Sequence, residues 1–254
     1  MDSKAVDRAL RELFWPALKE VGFTRRKGRT AWRDRPGAIQ VVNIQSFNSY
    51  LAEGLGATTY SFSINLGVFF DALAARSSIG ALVADRTRPQ EYHCQTRKRL
   101  MKGLAQPNVP RRAWMGLGPQ RPSLGRWSDR PDVYLVLPDG SNVDATVLDG
   151  RARMLAEGLP WLDRVSDPGE AMRCFFEVPD TSARPGISSE GYGGAIGSPN
   201  RLRAIAGLAA ASGDWELLRW TIDEMSRQTY FTSHPAELDM LRAELQATPT
   251  GEAG

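Results

Sequence analysis

Two histidines and two cysteines are all that 254 residues supply, and each scarcity removes a class of chemistry. His93 and His234 stand 141 positions apart, and neither has the neighbouring ligands of a zinc site. Cys94 and Cys174 can form at most one internal bridge, so no disulfide framework exists and both thiols are expected reduced and partly buried. Long hydrophobic runs are missing too, because charge breaks every apolar stretch before the roughly 18–20 residues that cross a bilayer. The opening "MDSKAVDRALREL" carries acidic residues and a helical rhythm in place of an apolar secretory core. The expectation is a cytoplasmic protein with no membrane partner, no metal and no cofactor.

What is present is the composition of a folded chain, 42% hydrophobic and 24% charged. The formal charge of +3 conceals a contrast: residues 1–165 hold 25 Lys or Arg against 16 Asp or Glu, whereas residues 166–254 hold 7 against 13. Two such parts can attract one another. That weakens any argument from the basic part alone to a nucleic-acid partner.

Apolar positions Val6, Leu10, Leu13, Phe14, Leu18 and Val21 recur every three or four residues, which predicts an amphipathic helix over 4–21 ended by Gly22. A short strand is expected at 30–33, a Pro36-Gly37 turn, then a strand at 39–47. In "TTYSFSINLGVFF" the period is two, with Tyr60, Phe62, Ile64, Leu66 and Val68 on one side and Ser61, Ser63, Asn65 and Gly67 on the other. This is the strongest strand signal in the chain, and the two strands read as antiparallel neighbours. Gly67 is placed to admit a close crossing. Helix is expected after Val68, and a helix or a strand-to-helix transition in "QEYHCQTRKRLMKGL". An irregular connection follows over 103–131, anchored by Trp114 and Trp127. "DVYLVLPDGSNVDATVL" reads as two strands around a Pro138-Asp139-Gly140 turn, the second near 143–148. A short helix interrupted at Gly158-Leu159-Pro160 follows, and "MRCFFEV" reads as a last strand. Together these give an α+β fold, mainly antiparallel sheet flanked by helices, over 1–178. A Gly/Pro/Ser-rich linker at 179–200 then leads to a helical extension at 201–249, where Asp214 is expected to cap "WELLRWTIDEMSRQ".

Motifs that carry chemistry are few. His93 and Cys94 are adjacent, and on a strand adjacent side chains face opposite ways, so they do not make an oriented base and thiol. "GYGGAIG" (191–197) matches neither the Walker nor the dinucleotide pattern and reads as linker. The basic stretch "RRKGRTAWRDR" offers Arg25, Arg26, Lys27, Arg29, Arg33 and Arg35 to phosphates with Trp32 as a stacking surface, and Arg97, Lys98, Arg99 and Lys102 form a second basic group. Arg25, Arg26, Lys27, Arg29, Trp32, Arg33 and Arg97 are therefore the candidate basic surface. If the sheet faces coincide, Asn43, Gln45, Ser63, Asn65, Asp144 and Thr146 line a candidate ligand or partner groove. A solvated sheet face explains the same polar residues without a ligand. No catalytic residue is nominated.

The ordered landmarks "LFWPALKEVGFTRRKGRTAWR", "VVNIQSFN", "YSFSINLGVF", "CQTRKRL" and "GLPWLDRV", spread over about residues 10–166, make the chain resemble the bacterial family catalogued as domain of unknown function 4304. The resemblance implies a compact α+β domain and no established reaction. It also implies an interaction role, since some relatives are associated with toxin-immunity systems. Gly22-Phe23, Gln45, Asn65-Leu66-Gly67 and Cys94 through Arg97 are its landmarks in this chain.

Three functions are therefore carried forward. The first is a non-catalytic protein-interaction module, toxin-neutralising or immunity-related in its specific form, with an unknown and acidic protein partner. The second is a small-molecule enzyme whose one acid/base group is Asp144. The third is a nucleic-acid binder that uses the basic segment 25–35.

Overall fold

A computed structural model describes residues 3–55, 57–71, 85–104, 131–177, 199–233 and 235–247. The expected helix after Val68, the connection over 103–131 and the linker at 179–200 fall largely or wholly outside the described residues.

The first helical run is α1 (Ser3–Ala9), a π-helical turn (Leu10–Phe14) and α2 (Trp15–Glu20). Val6, Leu10, Phe14 and Leu18 are all buried, as the three-to-four spacing requires. Pro16 explains the π turn. It lacks the N–H that would bond back one turn, and the chain has already widened so that Trp15 N–H reaches Leu10 O. Gly22 ends the run at φ +97°, where a side chain would be strained. Phe23 N–H bonds Leu18 O and Gly22 N–H bonds Lys19 O, the paired closure of a Schellman end.

Five strands follow, β1 (Arg25–Lys27), β2 (Thr30–Arg35), β3 (Ala38–Ser46), β4 (Phe62–Phe70) and β5 (Thr96–Arg99), in the antiparallel sheet order β1-β2-β3-β4-β5. In the first hairpin Arg25 pairs with Trp32, Arg26 with Ala31 and Lys27 with Thr30. Helix α3 (Ser49–Leu55) lies in the connection between β3 and β4. The segment 91–99 is a 3-10 turn (Glu91–His93) followed by β5, which leaves no helix there.

Two sequence expectations for the later chain are overturned. The strand expected near 143–148 is α4 (Val143–Arg153), which continues through a second π turn (Met154–Gly158) into α5 (Leu159–Arg164). Its inward residues Val143, Val147, Gly150 and Met154 have helical spacing, which overrides the β propensity of valine and threonine. The interruption expected at Gly158-Leu159-Pro160 is this π turn, with Leu159 N–H reaching Met154 O just ahead of Pro160. It repeats the arrangement ahead of Pro16. Of "MRCFFEV", the described residues Met172–Glu177 lie in α6 (Pro168–Glu177), where Asp167 accepts from Glu170 N–H at 2.9 Å and Pro168 opens the helix. The strand expected in "DVYLV" is reduced to one isolated bridge, Tyr134 to Phe62, after a turn at Asp132.

The chain divides into two compact units. One comprises Met1–Asp34, Gln40–Leu66 and Arg99–Leu162; the other comprises Arg35–Ile39, Gly67–Lys98 and Asp163–Gly254. In the first, α4 packs on the helical run of α1 and on one face of β4. Gly150 meets Ile64, Gly158 meets Leu66, and the Phe62 ring stacks on Tyr134 with centroids 5.3 Å apart.

In the second unit, Gly67 lies against Cys94. A Cβ added there would sit 2.7 Å from both Cys94 Cβ and Sγ. Gly67→Ala is expected to cost about 1–3 kcal/mol by overpacking. Chemical denaturation reads this, and Cys94→Gly in the same chain should recover part of the loss. The C-terminal extension of this unit is α7 (Pro199–Ser212), α8 (Trp215–Ser226), α9 (Thr229–Thr232) and α10 (Pro235–Ala247). Leu202, Ala206, Leu218, Ile222, Met225 and Phe231 are among the buried residues of its core, and Asp214 caps α8 by accepting from Leu217 N–H at 3.0 Å. No described helix is long and apolar enough to cross a membrane.

Candidate functional site

Every residue of β4 is buried, on both faces. The Ser61-Ser63-Asn65 side is therefore not the solvated face that its polarity suggests. Each polar group has instead been given a partner, as burial demands. Ser61 Oγ accepts from Val136 N–H at 3.0 Å, and Ser63 Oγ donates to Asp132 O at 2.7 Å.

Asn65, 3% exposed, is the centre of a polar ladder across three strands. Its Nδ2 donates to Gln45 Oε1 on β3 at 2.9 Å, and its Oδ1 accepts from Arg99 Nε on β5 at 3.2 Å. Arg99 Nη1 donates to Asp132 Oδ2 at 3.0 Å. Asp132 is 2% exposed, whereas the Arg99 side chain is 42% exposed and Gln45 is exposed. The ladder therefore runs from a buried carboxylate to a solvent-facing rim. Extended backbone in β3, β4 and β5 brings these residues into one row, and the segment at 132–136 beside β4 supplies Asp132.

Of the groove residues expected from sequence, Gln45 and Asn65 meet directly and Ser63 reaches the backbone of Asp132. Asn43 donates to Thr30 Oγ1 at 2.8 Å instead. Asp144 and Thr146 do not share a sheet face, because they stand on α4. Asp144 is exposed in the first helical turn, where a carboxylate complements the helix dipole, and Thr146 Oγ1 is buried and donates to Leu135 O at 3.3 Å. Arg99 and Asp132 were missed as site residues. Their place depends on the pairing of β5 with β4, which no local pattern reveals.

The basic surface is largely spoken for. Arg25 is ion-paired with Asp34, Arg29 with Asp7 at 2.7 Å, and Arg97 with Glu91. Arg33 is buried, donating to Gln40 and to Val21 O at 2.9 Å with its guanidinium over the Phe23 ring. Trp32 is 2% exposed, so it is a core residue rather than a stacking surface. Arg26, over Trp15, and Lys27 stay on the exposed side of the hairpin.

His93 and Cys94 do not form a nucleophile and base in this geometry. His93 Nδ1 accepts from Gln90 N–H at 3.1 Å, and Cys94 Sγ donates to Gln90 O at 3.6 Å. Burial, with the Glu91 carboxylate adding to it, pushes the Cys94 thiol well above its ordinary value and keeps it protonated. Cys94 and Cys174 are both free and buried. Among the described residues, no three His, Cys, Asp or Glu side chains gather as metal ligands would.

An alkaline limit on stability follows from two buried acids. Cys94 is held above its ordinary 9.0, and Tyr134, buried and beside Asp149, is raised far above its ordinary 10.0. In the unfolded chain both ionise at their ordinary values, so between pH 9 and 11 the unfolded state loses protons that the folded state keeps. Stability is full below about pH 8.5 and falls as pH rises, by linkage. A melting temperature that stays level from pH 8.5 to 10.5 would contradict this.

No curated protein and no solved structure matches the chain. A family model does, over residues 14–164, the span that holds the sheet, α4, α5 and the whole polar ladder. The chain belongs to the family described as Domain of unknown function (DUF4304).

Proposed function

We propose that the protein is a non-catalytic interaction module and that it engages a protein partner through the rim formed by Gln45 and Arg99. The observation that carries this reading is the ladder itself. A buried asparagine and a buried aspartate hold a half-exposed guanidinium in one orientation, which lowers the entropy lost when a partner binds it. Exposed Tyr50 on α3, a few residues beyond Gln45 in the chain, is of a residue type that anchors protein contacts. Neutralisation of a toxin is the specific form of this function suggested by the resemblance to immunity-associated relatives.

The test is affinity isolation from the producing cells, with the wild-type chain and Arg99→Gln as parallel baits, followed by titration of the recovered partner. A specific partner held by the wild type and weakened by Arg99→Gln is expected. Absence of any specific partner contradicts the proposal. An enzyme centred on Asp144 has less support, because that carboxylate stands exposed on α4 and takes no part in the ladder. Nucleic-acid binding through 25–35 has less support because Trp32 is in the core and Arg25, Arg29 and Arg33 are engaged.

A further inference from the structure

We infer that the rim is a carboxylate-binding site, so that the group it takes from the partner is an Asp or Glu side chain or a chain terminus. This inference rests on the interaction reading above and names its chemistry. The reasoning starts from Arg99, which has five N–H donors and no acceptor. Its Nε faces Asn65, so Asn65 must present its oxygen on that side. The amide nitrogen of Asn65 then points the other way and meets Gln45, which must answer with its own oxygen. That leaves the Gln45 Nε2 donors at one end of the ladder and the Arg99 Nη2 donors at the other. Among the described residues no acceptor meets either group.

Each amide oxygen linking Gln45, Asn65 and Arg99 thus already accepts one bond inside the ladder, and the donors left over are the N–H groups of Gln45 Nε2 and Arg99 Nη2. A cation is repelled by the Arg99 charge there. An oxygen anion takes a charge-assisted bond from Arg99 Nη2, while Asn65 on Nε and Asp132 on Nη1 hold the guanidinium in place. Charge favours a carboxylate over a phosphate. Asp132 already balances part of the Arg99 charge, so the pair suits one negative charge and not two.

Side-chain ¹H–¹⁵N spectra of the full chain test this with defined probes: acetyl-Gly-Glu-Gly-amide, its glutamine counterpart acetyl-Gly-Gln-Gly-amide, sodium acetate, inorganic phosphate, and sodium chloride at matched ionic strength. The glutamate peptide and acetate are expected to shift the Arg99 Nε–H signal saturably and the Gln45 Nε2 signal less, because Gln45 stands two strands away from Arg99, with the backbone spectrum otherwise unchanged. The glutamine peptide and chloride should not. Arg99→Gln should weaken the glutamate peptide about tenfold, the loss of a charge-assisted bond. Gln45→Leu should weaken it less, because the charge remains. Equal shifts from both peptides, no saturable shift, or phosphate binding tighter than acetate would each overturn the carboxylate assignment. Saturation by acetate with none by the glutamate peptide would overturn the partner as its source. If a protein partner is found to depend on Arg99 while these probes fail, the carboxylate assignment falls and the interaction module stands. If the probes bind and no partner exists, the module falls and the site stands.

Discussion

Replacing Trp32 with alanine is expected to lower the unfolding free energy by about 3–5 kcal/mol, the cost of emptying a large buried aromatic site. Trp32 lies on β2, opposite Arg25, and only 2% of it is exposed. Urea denaturation followed by circular dichroism measures the loss. The neighbouring exposed residue is the control. Arg26→Ala removes a cation held over Trp15 at 5.5 Å and should cost no more than about 1 kcal/mol. The contrast separates two meanings of the same basic and aromatic stretch. A Trp32 variant of near-native stability would mean that the indole is free to serve a ligand, and the nucleic-acid reading would regain its stacking surface.

Arg203→Ala is expected to be as costly, about 3–5 kcal/mol, because it strips one partner from a largely buried ion pair. Arg203 Nε bonds both oxygens of Glu237, at 2.8 and 3.0 Å, and the two side chains are only 9% and 15% exposed. The same guanidinium lies over the Tyr230 and Phe231 rings, so α7, α9 and α10 converge on it. Truncation leaves the Glu237 carboxylate without its guanidinium and uncovers Phe231. Hydrogen exchange over residues 199–247 reads the effect locally, as faster exchange through the extension. The double variant Arg203→Leu with Glu237→Leu should recover most of the loss, since apolar replacement of both partners removes the stranded charge. Unchanged exchange in Arg203→Ala would show that apolar packing alone holds these helices.

How much of this was legible varies with how local its cause is. The helix at 4–21, the strands around 30–33 and 39–47, the Asp214 cap and the period-two run of β4 all follow from neighbours in sequence, and all are found. The α+β class follows with them. Residues 143–148 misled because Val143, Thr146 and Val147 carry β propensity, yet Val143, Val147, Gly150 and Met154 already showed the helical spacing that prevails. "MRCFFEV" misled because so short a window hides its start, where Asp167, Pro168 and Glu170 form a helix-opening pattern. The π turns left no pattern beyond Pro16 and Pro160, which read as breaks and prove to be adjustments within continuing helices.

The site was half legible. Asn65 and Gln45 stood out as polar residues in otherwise apolar strands, and they do meet. The burial of Asn65 did not, because the alternation of β4 records polarity and not what covers the polar side. Arg99 looked like one member of a basic run and Asp132 like the edge of a strand. Only the pairing of β5 with β4, across more than thirty residues of chain, makes them a pair with Asn65.

The most direct test of the Arg99 rim is isothermal titration of the isolated partner against wild type and Arg99→Gln. A hydrogen bond to a charged group contributes about 1.5–3 kcal/mol, so Arg99→Gln should weaken binding roughly tenfold or more, with Arg26→Gln as a basic control that leaves it within about twofold. Equal affinity for Arg99→Gln and wild type, with both chains folded, would contradict the claim that this face is where the protein recognises its partner.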